Sequence, residues 1–298
     1  MSANAIHIDC QAAEYHARPE WSQSQWKLLP DHPELFYGMY IEPDIEKRWK
    51  FKATEDMELG TQLHGVWLEK KELLIIPYTA LTSNGQRRGR SWEAWCEEHP
   101  EDHGILEKDS LRIRDMLDRG LEDPVVRSLM EAEGETEHTI VWTDEETGLP
   151  LRCRIDKLCR FDGGYQIADI KCTSADVTDE REIASKIFSF GYHQQAAAYM
   201  DAATLLFGER PLNFVFVFVR NKPPYNAVAW TLPELDIELG KRHNRVALIE
   251  LQSRLACGNW HGGRFGKLNT VSLPKWAWTD DPLGLPMSQP FSEFNDYE

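Results

Sequence analysis

The segment from Leu151 to Thr173 constrains the fold more than any other part of the sequence. It contains two strand-forming runs on either side of the turn Asp162-Gly163-Gly164, a combination that is typical of a β-hairpin. Because side chains alternate between the two faces of a strand, Asp169 and Lys171 are predicted to share one face. If the hairpin pairs through this turn, Asp156 on the first strand reaches the same place.

Two carboxylates and an amine therefore converge at one strand end. Ile170, between Asp169 and Lys171, is predicted to point the other way into apolar surroundings. Carboxylate oxygens suit hard divalent cations such as Mg²⁺ or Mn²⁺, and an ammonium group can lie beside the water that such a cation binds. This stretch predicts a metal site.

The flanking sequence predicts a central sheet with helices around it. The run Asn213 to Arg220 is continuously apolar, as expected of a strand that is covered on both faces, and residues 226–232 are predicted to pair beside it. Further local patterns predict two strands, Leu73–Tyr78 and 138–142, with Glu137 just before the second. They also predict helices over 22–29, 57–70, from Asp109, 123–130, through Gln195 and Tyr199, and over 234–257. Together these elements indicate an α/β fold.

The hairpin residues belong to a longer pattern of polar side chains. In chain order they are His64, Glu137, Asp156, Asp169, Lys171, Gln195 and Tyr199. This order and spacing resembles the PD-(D/E)XK nuclease superfamily, and within it the RecE-type (exodeoxyribonuclease VIII-like) phage exonucleases and their RecB-nuclease relatives. Two other stretches are similar to the same branch: Tyr15 to Tyr37 and Leu59 to Glu69. The second acidic position holds Asp169, where the family accepts Asp or Glu.

The resemblance implies a restriction-endonuclease-like core with a central mixed sheet flanked by helices. It also implies a metal site for Mg²⁺, which Mn²⁺ can replace. The implied ligands are His64, Asp156, Asp169 and the backbone carbonyl of Ile170. Without the resemblance, a lone histidine on an amphipathic helix is more often a core residue than a ligand.

The other residues of the pattern have implied roles around the metal. Lys171 would hold or deprotonate the attacking water, and Gln195 and Tyr199 would orient this lysine and contact the DNA end. Glu137 would help the metal centre. From the residues alone, Glu137 can equally cap a strand end in solvent, and Gln195 with Tyr199 can be a buried hydrogen-bonded pair.

Candidate DNA contacts lie outside this pattern. Arg87, Arg88 and Arg90 cluster in a polar loop, and arginine suits phosphate oxygens, although a solvated loop is an equal interpretation. Tyr192 is a further candidate DNA contact. A second basic group on the helix from Asp109 is interspersed with acidic residues, so a surface face with intrahelical ion pairs is the preferred interpretation there.

The formal net charge of −16 argues against broad adhesion to nucleic acid. An acidic surface repels phosphates over about 8–10 Å in ordinary salt, so DNA binding requires basic side chains gathered in a groove. No long apolar run and no secretory leader pattern is visible, which predicts no membrane association and a cytoplasmic location. The six cysteines show no metal-binding spacing and are predicted to be free thiols.

The resemblance implies a metal-dependent exonuclease that digests linear double-stranded DNA from 5′ ends and leaves 3′ single-stranded tails. The implied partners are DNA ends, an annealing protein of the RecT type and further copies of the chain, in a ring. The alternatives are a Cas4-like or restriction-like nuclease of other polarity, or a noncatalytic scaffold that binds DNA ends. We expect residues 1–56 to pack on a nuclease core of 57–260, followed by a C-terminal wrap and acidic tail over 261–298.

Overall fold

The computed structural model of the protein describes residues 5–50, 54–100 and 103–274. The chain divides into two units, Met1–Trp260 and His261–Glu298. Within the second unit, the rings of His261 and Phe265 stack with centroids 3.7 Å apart, and the predicted acidic tail lies outside the described residues. Among the described helices, none is long and apolar enough to cross a membrane.

The described strands of the first unit form one mixed sheet. They are β1 (Ala5–Ile8), β2 (Trp21–Ser22), β3 (Thr136–Thr143), β4 (Pro150–Phe161), β5 (Gly164–Thr173), β6 (Phe214–Arg220) and β7 (Ala227–Thr231). The order is β1-β3-β4-β5-β6-β7, and β2 also pairs with β4. The β5–β6 and β2–β4 pairs are parallel and the others antiparallel, which confirms the predicted central mixed sheet.

Strand β6 is buried on both faces of the sheet, as its apolar run predicts. Phe214, Phe216 and Phe218 belong to one buried cluster. The alternate residues Val215, Val217 and Val219 belong to the other. Because successive side chains of a strand point to opposite faces, these clusters are two cores on the two sides of the sheet.

Helices cover both cores. They are α1 (Ala12–Ala17), α2 (Gln23–Trp26), α3 (Pro33–Phe36), α4 (Glu55–Leu68), α5 (Arg90–Glu98), α6 (Glu107–Gly120), α7 (Pro124–Glu131), α8 (Glu180–Ser189), α9 (Tyr192–Phe207) and α10 (Glu234–Cys257). Buried residues of α9 and α10 pack on the phenylalanine face of β6. Those of α4, α6 and α7 pack on its valine face. The α/β class with helices flanking the sheet is therefore confirmed.

The sheet forks between β4 and β5. These strands pair from Phe161–Gly164 to Lys157–Ala168, and β5 then continues beside β6 as far as Thr173. The beginning of β4 pairs instead with the short strand β2, at Leu151 and Arg152. Residues 153–156 of β4 therefore have no strand partner on this side among the described residues.

Two local predictions are wrong. The run Leu73–Tyr78 is not a strand, because its ladder consists of one isolated bridge, Ile75 with Ile105, and Pro77 has no N–H to extend it. The helix predicted over 22–29 ends at Trp26. Ser22 does cap it, and its backbone N–H bonds to Gln25 Oε1 at 2.8 Å, but the next residues form turns rather than a longer helix.

Candidate active site

Three carboxylates occupy corresponding positions on three strands at the fork. The β3–β4 pairs Thr136–Lys157 and His138–Ile155 place Glu137 across from Asp156. The last β4–β5 pair is Lys157–Ala168, and Asp156 and Asp169 are the next residues beyond it on β4 and β5, at the point where the two strands diverge. The hairpin thus brings Asp156 and Asp169 together, as the sequence predicts.

Asp156 and His64 are both tied to the backbone of Ile170. Asp156 Oδ2 accepts a hydrogen bond from the Ile170 N–H at 2.8 Å, and His64 Nε2 lies 2.9 Å from the Ile170 carbonyl oxygen. His64 Nδ1 lies 3.5 Å from Asp156 Oδ2. Burial and the neighbouring charge of Asp169 raise the pKa of Asp156 to about 6.

Asp169 is held by two side chains. Its Oδ1 accepts a hydrogen bond of 2.5 Å from Gln195 Nε2 on α9, and its Oδ2 lies 2.5 Å from Lys171 Nζ. Only 1 % of the Asp169 side chain is exposed. Burial acts to lower the pKa of Lys171, but the nearby Asp169 and other anionic neighbours outweigh it, so the pKa is raised. Lys171 is therefore an ammonium ion that neutralises a buried carboxylate.

Glu137 lies inside β3 rather than before it, and its φ of 55° puts it in the left-handed region. An irregular residue in a strand locally re-aims its side chain. Glu137 Oε2 lies 2.5 Å from Arg154 Nε. Burial, followed by repulsion from Asp156, raises the pKa of Glu137.

The residues present fit a divalent cation. One potential ligand atom from each of His64, Glu137 and Asp156 lies within 4.8 Å of the others. Closely spaced carboxylates with raised pKa values gain from a cation that neutralises their mutual repulsion. Ile170 adds a carbonyl oxygen beside His64. Asp169, the other predicted ligand, is not part of this group of three, because its Oδ1 is bonded to Gln195 and its Oδ2 is paired with Lys171.

A second group of this kind lies at the β1–β3 edge. It consists of His7, Glu135 and His138. The two imidazole rings stack with centroids 3.9 Å apart, so their in-plane nitrogen lone pairs do not converge on one point. The group at the fork is therefore the better candidate for a metal centre among the described residues.

A family model matches residues 40–253, which include the predicted site from His64 to Tyr199. Its description is "PDDEXK-like domain of unknown function (DUF3799)". The chain belongs to this PDDEXK-like family. Membership shows the superfamily that the sequence resembles, and it leaves the RecE-type branch open.

A solved structure shares the fold of this PDDEXK-like protein. A "Putative exonuclease" from Eubacterium rectale is 14% identical, with a TM-score of 0.58, and the match covers 92% of this chain and 99% of that chain. SSO0001 is 18% identical with a TM-score of 0.27, and the match covers 66% of this chain and 88% of that chain. VC1899 from Vibrio cholerae is 12% identical with a TM-score of 0.22, and the match covers 86% of this chain and 59% of that chain. Both TM-scores are too low to show a shared fold. No curated protein matches the chain.

The two predicted tyrosines flank the site on α9. The Lys171 ammonium lies 4.7 Å from the centre of the Tyr192 ring. Tyr199 is partly buried, and burial is the main cause that raises its pKa well above the usual value. Among its neighbours that raise it further are Asp169 and Asp156, so Tyr199 lies on the carboxylate side of the site.

The predicted arginine cluster lies beside α4, the helix that carries His64. Arg87 Nη1 is 3.1 Å from Glu58 Oε2 on that helix, whereas Arg88 and Arg90 are exposed. The other basic group, on α6, forms ion pairs along its own chain: Arg112 with Asp109 at 3.0 Å and Arg119 with Glu122 at 2.9 Å. The structure agrees with the preferred interpretation of that group as a paired surface.

Lys27 is a site neighbour that the sequence did not indicate. Its Nζ donates a hydrogen bond of 2.7 Å to the carbonyl oxygen of Phe190. Burial, and then the charge of Lys171, lower the pKa of Lys27 to about 8. Lys27 follows the short helix α2, about 140 residues before Lys171, so only the folded chain shows that these amines are close.

Proposed function

We propose that this protein is a magnesium-dependent exonuclease that digests linear double-stranded DNA from its 5′ ends and leaves 3′ single-stranded tails. The observation that carries the proposal is the fork. It aligns Asp156 with Asp169 and places Lys171 2.5 Å from Asp169. The PDDEXK-like family and the name of the Eubacterium rectale neighbour support a nuclease, and the resemblance to RecE-type enzymes supports the polarity.

Hydrolysis of a phosphodiester requires water to attack an anionic phosphorus and an alkoxide to leave. When bound, Mg²⁺ would act as a Lewis acid that polarises the phosphoryl oxygen and lowers the pKa of water. His64, Glu137, Asp156 and Asp169 would hold it, together with the Ile170 carbonyl oxygen. The remaining chemistry falls to the side chains around them.

Lys171 suits charge stabilisation better than proton abstraction. Its pKa is raised, and a general base must be deprotonated near the working pH. As an ammonium it can donate hydrogen bonds to a nonbridging phosphate oxygen and to the attacking water. Gln195 would fix the position of Asp169, to which it donates a hydrogen bond. Tyr199, one helical turn further on, would help to orient Lys171.

The biological setting is also a proposal. The resemblance suggests that the single-stranded tails pass to an annealing protein of the RecT type and that several copies of the chain enclose the DNA in a ring. The opposing candidates are an endonuclease or a nuclease of other polarity, and a scaffold that binds DNA ends without cleaving them. The intact carboxylate and lysine set argues against the scaffold, which has no use for it.

One digestion assay separates these candidates. Linear duplex labelled at its 5′ ends is incubated with Mg²⁺, with Mn²⁺ or with a chelator, beside the same duplex labelled at 3′ ends and a closed circular plasmid. We expect metal-dependent release of 5′-labelled mononucleotides, a late loss of the 3′ label and an intact plasmid. Cleavage of the plasmid would support an endonuclease. Loss of the 3′ label before the 5′ label would show digestion from 3′ ends. Intact DNA in every arm would reject a nuclease.

A matched pair of variants ties any cleavage to the fork. Asp169→Asn removes the charge that Lys171 neutralises. Asp162→Asn makes the same change on the same hairpin, at the exposed turn. We expect the first to lose cleavage by about 10²–10³-fold or more and the second to retain it.

A further inference from the structure

A row of two stacked aromatic rings with a lysine at each end leads from Lys171 to the protein surface. The Lys171 ammonium lies 4.7 Å from the centre of the Tyr192 ring. The Tyr192 and Phe190 rings are stacked, with centroids 5.6 Å apart and an interplanar angle of 18°. Lys186 Nζ in turn lies 5.5 Å from the centre of the Phe190 ring. We call these four residues the aromatic row.

The outer ring of the row is exposed. Phe190 has 50% of its surface in contact with solvent, whereas Tyr192 is partly buried against Phe216 and Phe218. The backbone of Phe190 is anchored, because its carbonyl oxygen accepts the hydrogen bond from Lys27 Nζ. An exposed ring on a fixed backbone, separated from Lys171 by the Tyr192 ring, is a preformed surface for a planar apolar group.

We propose that Phe190 stacks on an unpaired base of the strand being cut, one or two nucleotides from the phosphate at Lys171. Cationic groups interleaved with aromatic rings are the usual chemistry of single-strand binding, since rings stack on bases and amines attract phosphates. Lys186, beside the Phe190 ring, and Lys27, bonded to the Phe190 carbonyl oxygen, supply positive charge for the phosphates next to that base. The inference rests on the proposed function and deepens it: the site takes a DNA end whose last base pairs are open.

The charge of the chain favours this occupant over an apolar protein segment. The formal net charge is −16, so Lys186 and Lys27 beside the two rings are a local excess of positive charge that complements a polyanion, in addition to Lys171, which is paired with Asp169. An unpaired end also offers the base face that a closed duplex hides within its stack. A protein partner on Phe190 is an outcome of the test below.

Phe188 supplies a matched control two residues away. It is also exposed, at 64%, but its ring stacks on His193, with centroids 5.5 Å apart, rather than on Tyr192. Phe188→Ala and Phe190→Ala therefore remove the same group from the same helix end, and only the second interrupts the aromatic row. Phe190→Trp keeps a stacking surface.

The experiment measures binding without cleavage. Ca²⁺ replaces Mg²⁺, and duplexes with a short single-stranded end carry one abasic residue at successive positions of either strand. For the wild type we expect one position at which loss of the base weakens binding by about 5- to 100-fold. Phe190→Ala should weaken binding of intact DNA by the same factor and no longer respond to that abasic site, while Phe190→Trp and Phe188→Ala should behave like the wild type.

Several results overturn the inference. Equal effects of Phe188→Ala and Phe190→Ala, or an abasic penalty that persists in Phe190→Ala, would show that Phe190 does not stack on a base. A change in oligomeric mass with unchanged DNA binding would assign the ring to a protein contact. Thermal unfolding checks that each variant is folded.

Failure of the proposed function has a different signature. If the wild type degrades labelled DNA but Phe190→Ala binds like the wild type, only the stacking inference fails. If Phe190→Ala removes the abasic penalty in Ca²⁺ but no metal supports cleavage, the proposed nuclease activity is refuted and the stacking inference is supported. A wild-type protein that neither binds nor cleaves DNA refutes both.

Discussion

Asp156 accepts a hydrogen bond of 2.8 Å from the backbone N–H of Ile170, on the neighbouring strand. In a continuous ladder such an N–H would bond to the backbone of β4, but here the strands have already diverged and a carboxylate takes its place. The divergence of β4 from β5 and the acidic site are therefore one structural feature. Asp156 is fixed beside Asp169 at the cost of mutual repulsion.

That repulsion predicts that Asp156→Asn stabilises the metal-free protein. Burial and Asp169 raise the pKa of Asp156 from 3.8 to about 6. Because the folded state binds the proton more tightly, the stability that this group contributes is present below about pH 4 and lost as the pH rises through about 6. At about pH 8, with chelator, we expect the free energy of unfolding of Asp156→Asn to be about 2–3 kcal/mol higher than that of the wild type.

The same comparison includes its controls. At about pH 4 the stability difference should vanish, and added Mn²⁺ should stabilise the wild type but not Asp156→Asn. Asp162→Asn, at the exposed turn, should match the wild type throughout. If Asp156→Asn were less stable than the wild type at high pH, the ionised Asp156 carboxylate would not destabilise the folded protein.

Lys171 and Asp169 should be energetically coupled. Asp169 is 1 % exposed, so Lys171→Met leaves a buried charge with Gln195 as its remaining partner in the described structure. We expect a loss of about 2–4 kcal/mol in the free energy of unfolding. The double variant Asp169→Asn/Lys171→Met should lose less than the sum of the two single changes, by at least about 1 kcal/mol, in urea unfolding. Additive losses would contradict the ion pair, and all three variants should lack cleavage.

Gln195 should act through Asp169. Its amide donates the 2.5 Å hydrogen bond that orients Asp169 Oδ1. We expect Gln195→Ala to lower Mn²⁺ affinity or the rate of cleavage by about 10- to 100-fold. Calorimetric Mn²⁺ titration and single-turnover kinetics measure the two effects. Gln252→Ala removes a similar hydrogen bond, to the Thr147 carbonyl, and should change neither.

The exposed arginines should contribute to DNA affinity through phosphate contacts. Arg88 and Arg90 are exposed, while Arg87 is paired with Glu58. Replacing Arg88 and Arg90 with alanine should reduce the slope of log Kd against log salt by about 1–2. Arg119→Ala, which breaks an ion pair on α6, should leave the slope unchanged. Equal slopes in all variants would assign the arginine loop to solvent.

Local pattern was enough to predict much of the fold. Alternation and the Asp162-Gly163-Gly164 turn predicted the hairpin, and the continuous apolar run predicted β6 as a doubly covered strand. Helix α10 begins and ends where its sequence indicates, with Gly258 in the left-handed region after it. These features depend on neighbours within a few residues. The strand predicted over Leu73–Tyr78 fails because a strand also needs a partner, which a local pattern does not reveal.

The sequence predicted which residues form the site better than it predicted how those residues are arranged. The sequence grouped Asp156, Asp169 and Lys171, but not the bond from Asp156 to Ile170 or the contact between Glu137 and Arg154. These depend on where β4 and β5 diverge and on the left-handed backbone at Glu137. Lys27 was missed for the same reason, since its place near Lys171 follows from packing between distant segments.

The most direct test is the position of a bound metal ion. Anomalous scattering from crystals soaked in Mn²⁺ should show an ion about 2.1 Å from oxygens of Asp156 and Asp169 and near His64, Glu137 and the Ile170 carbonyl. Lys171 should then point to the open side of that ion. An ion bound only at His7, Glu135 and His138, or none at the fork with Lys171 still paired to Asp169, would contradict the metal-dependent nuclease.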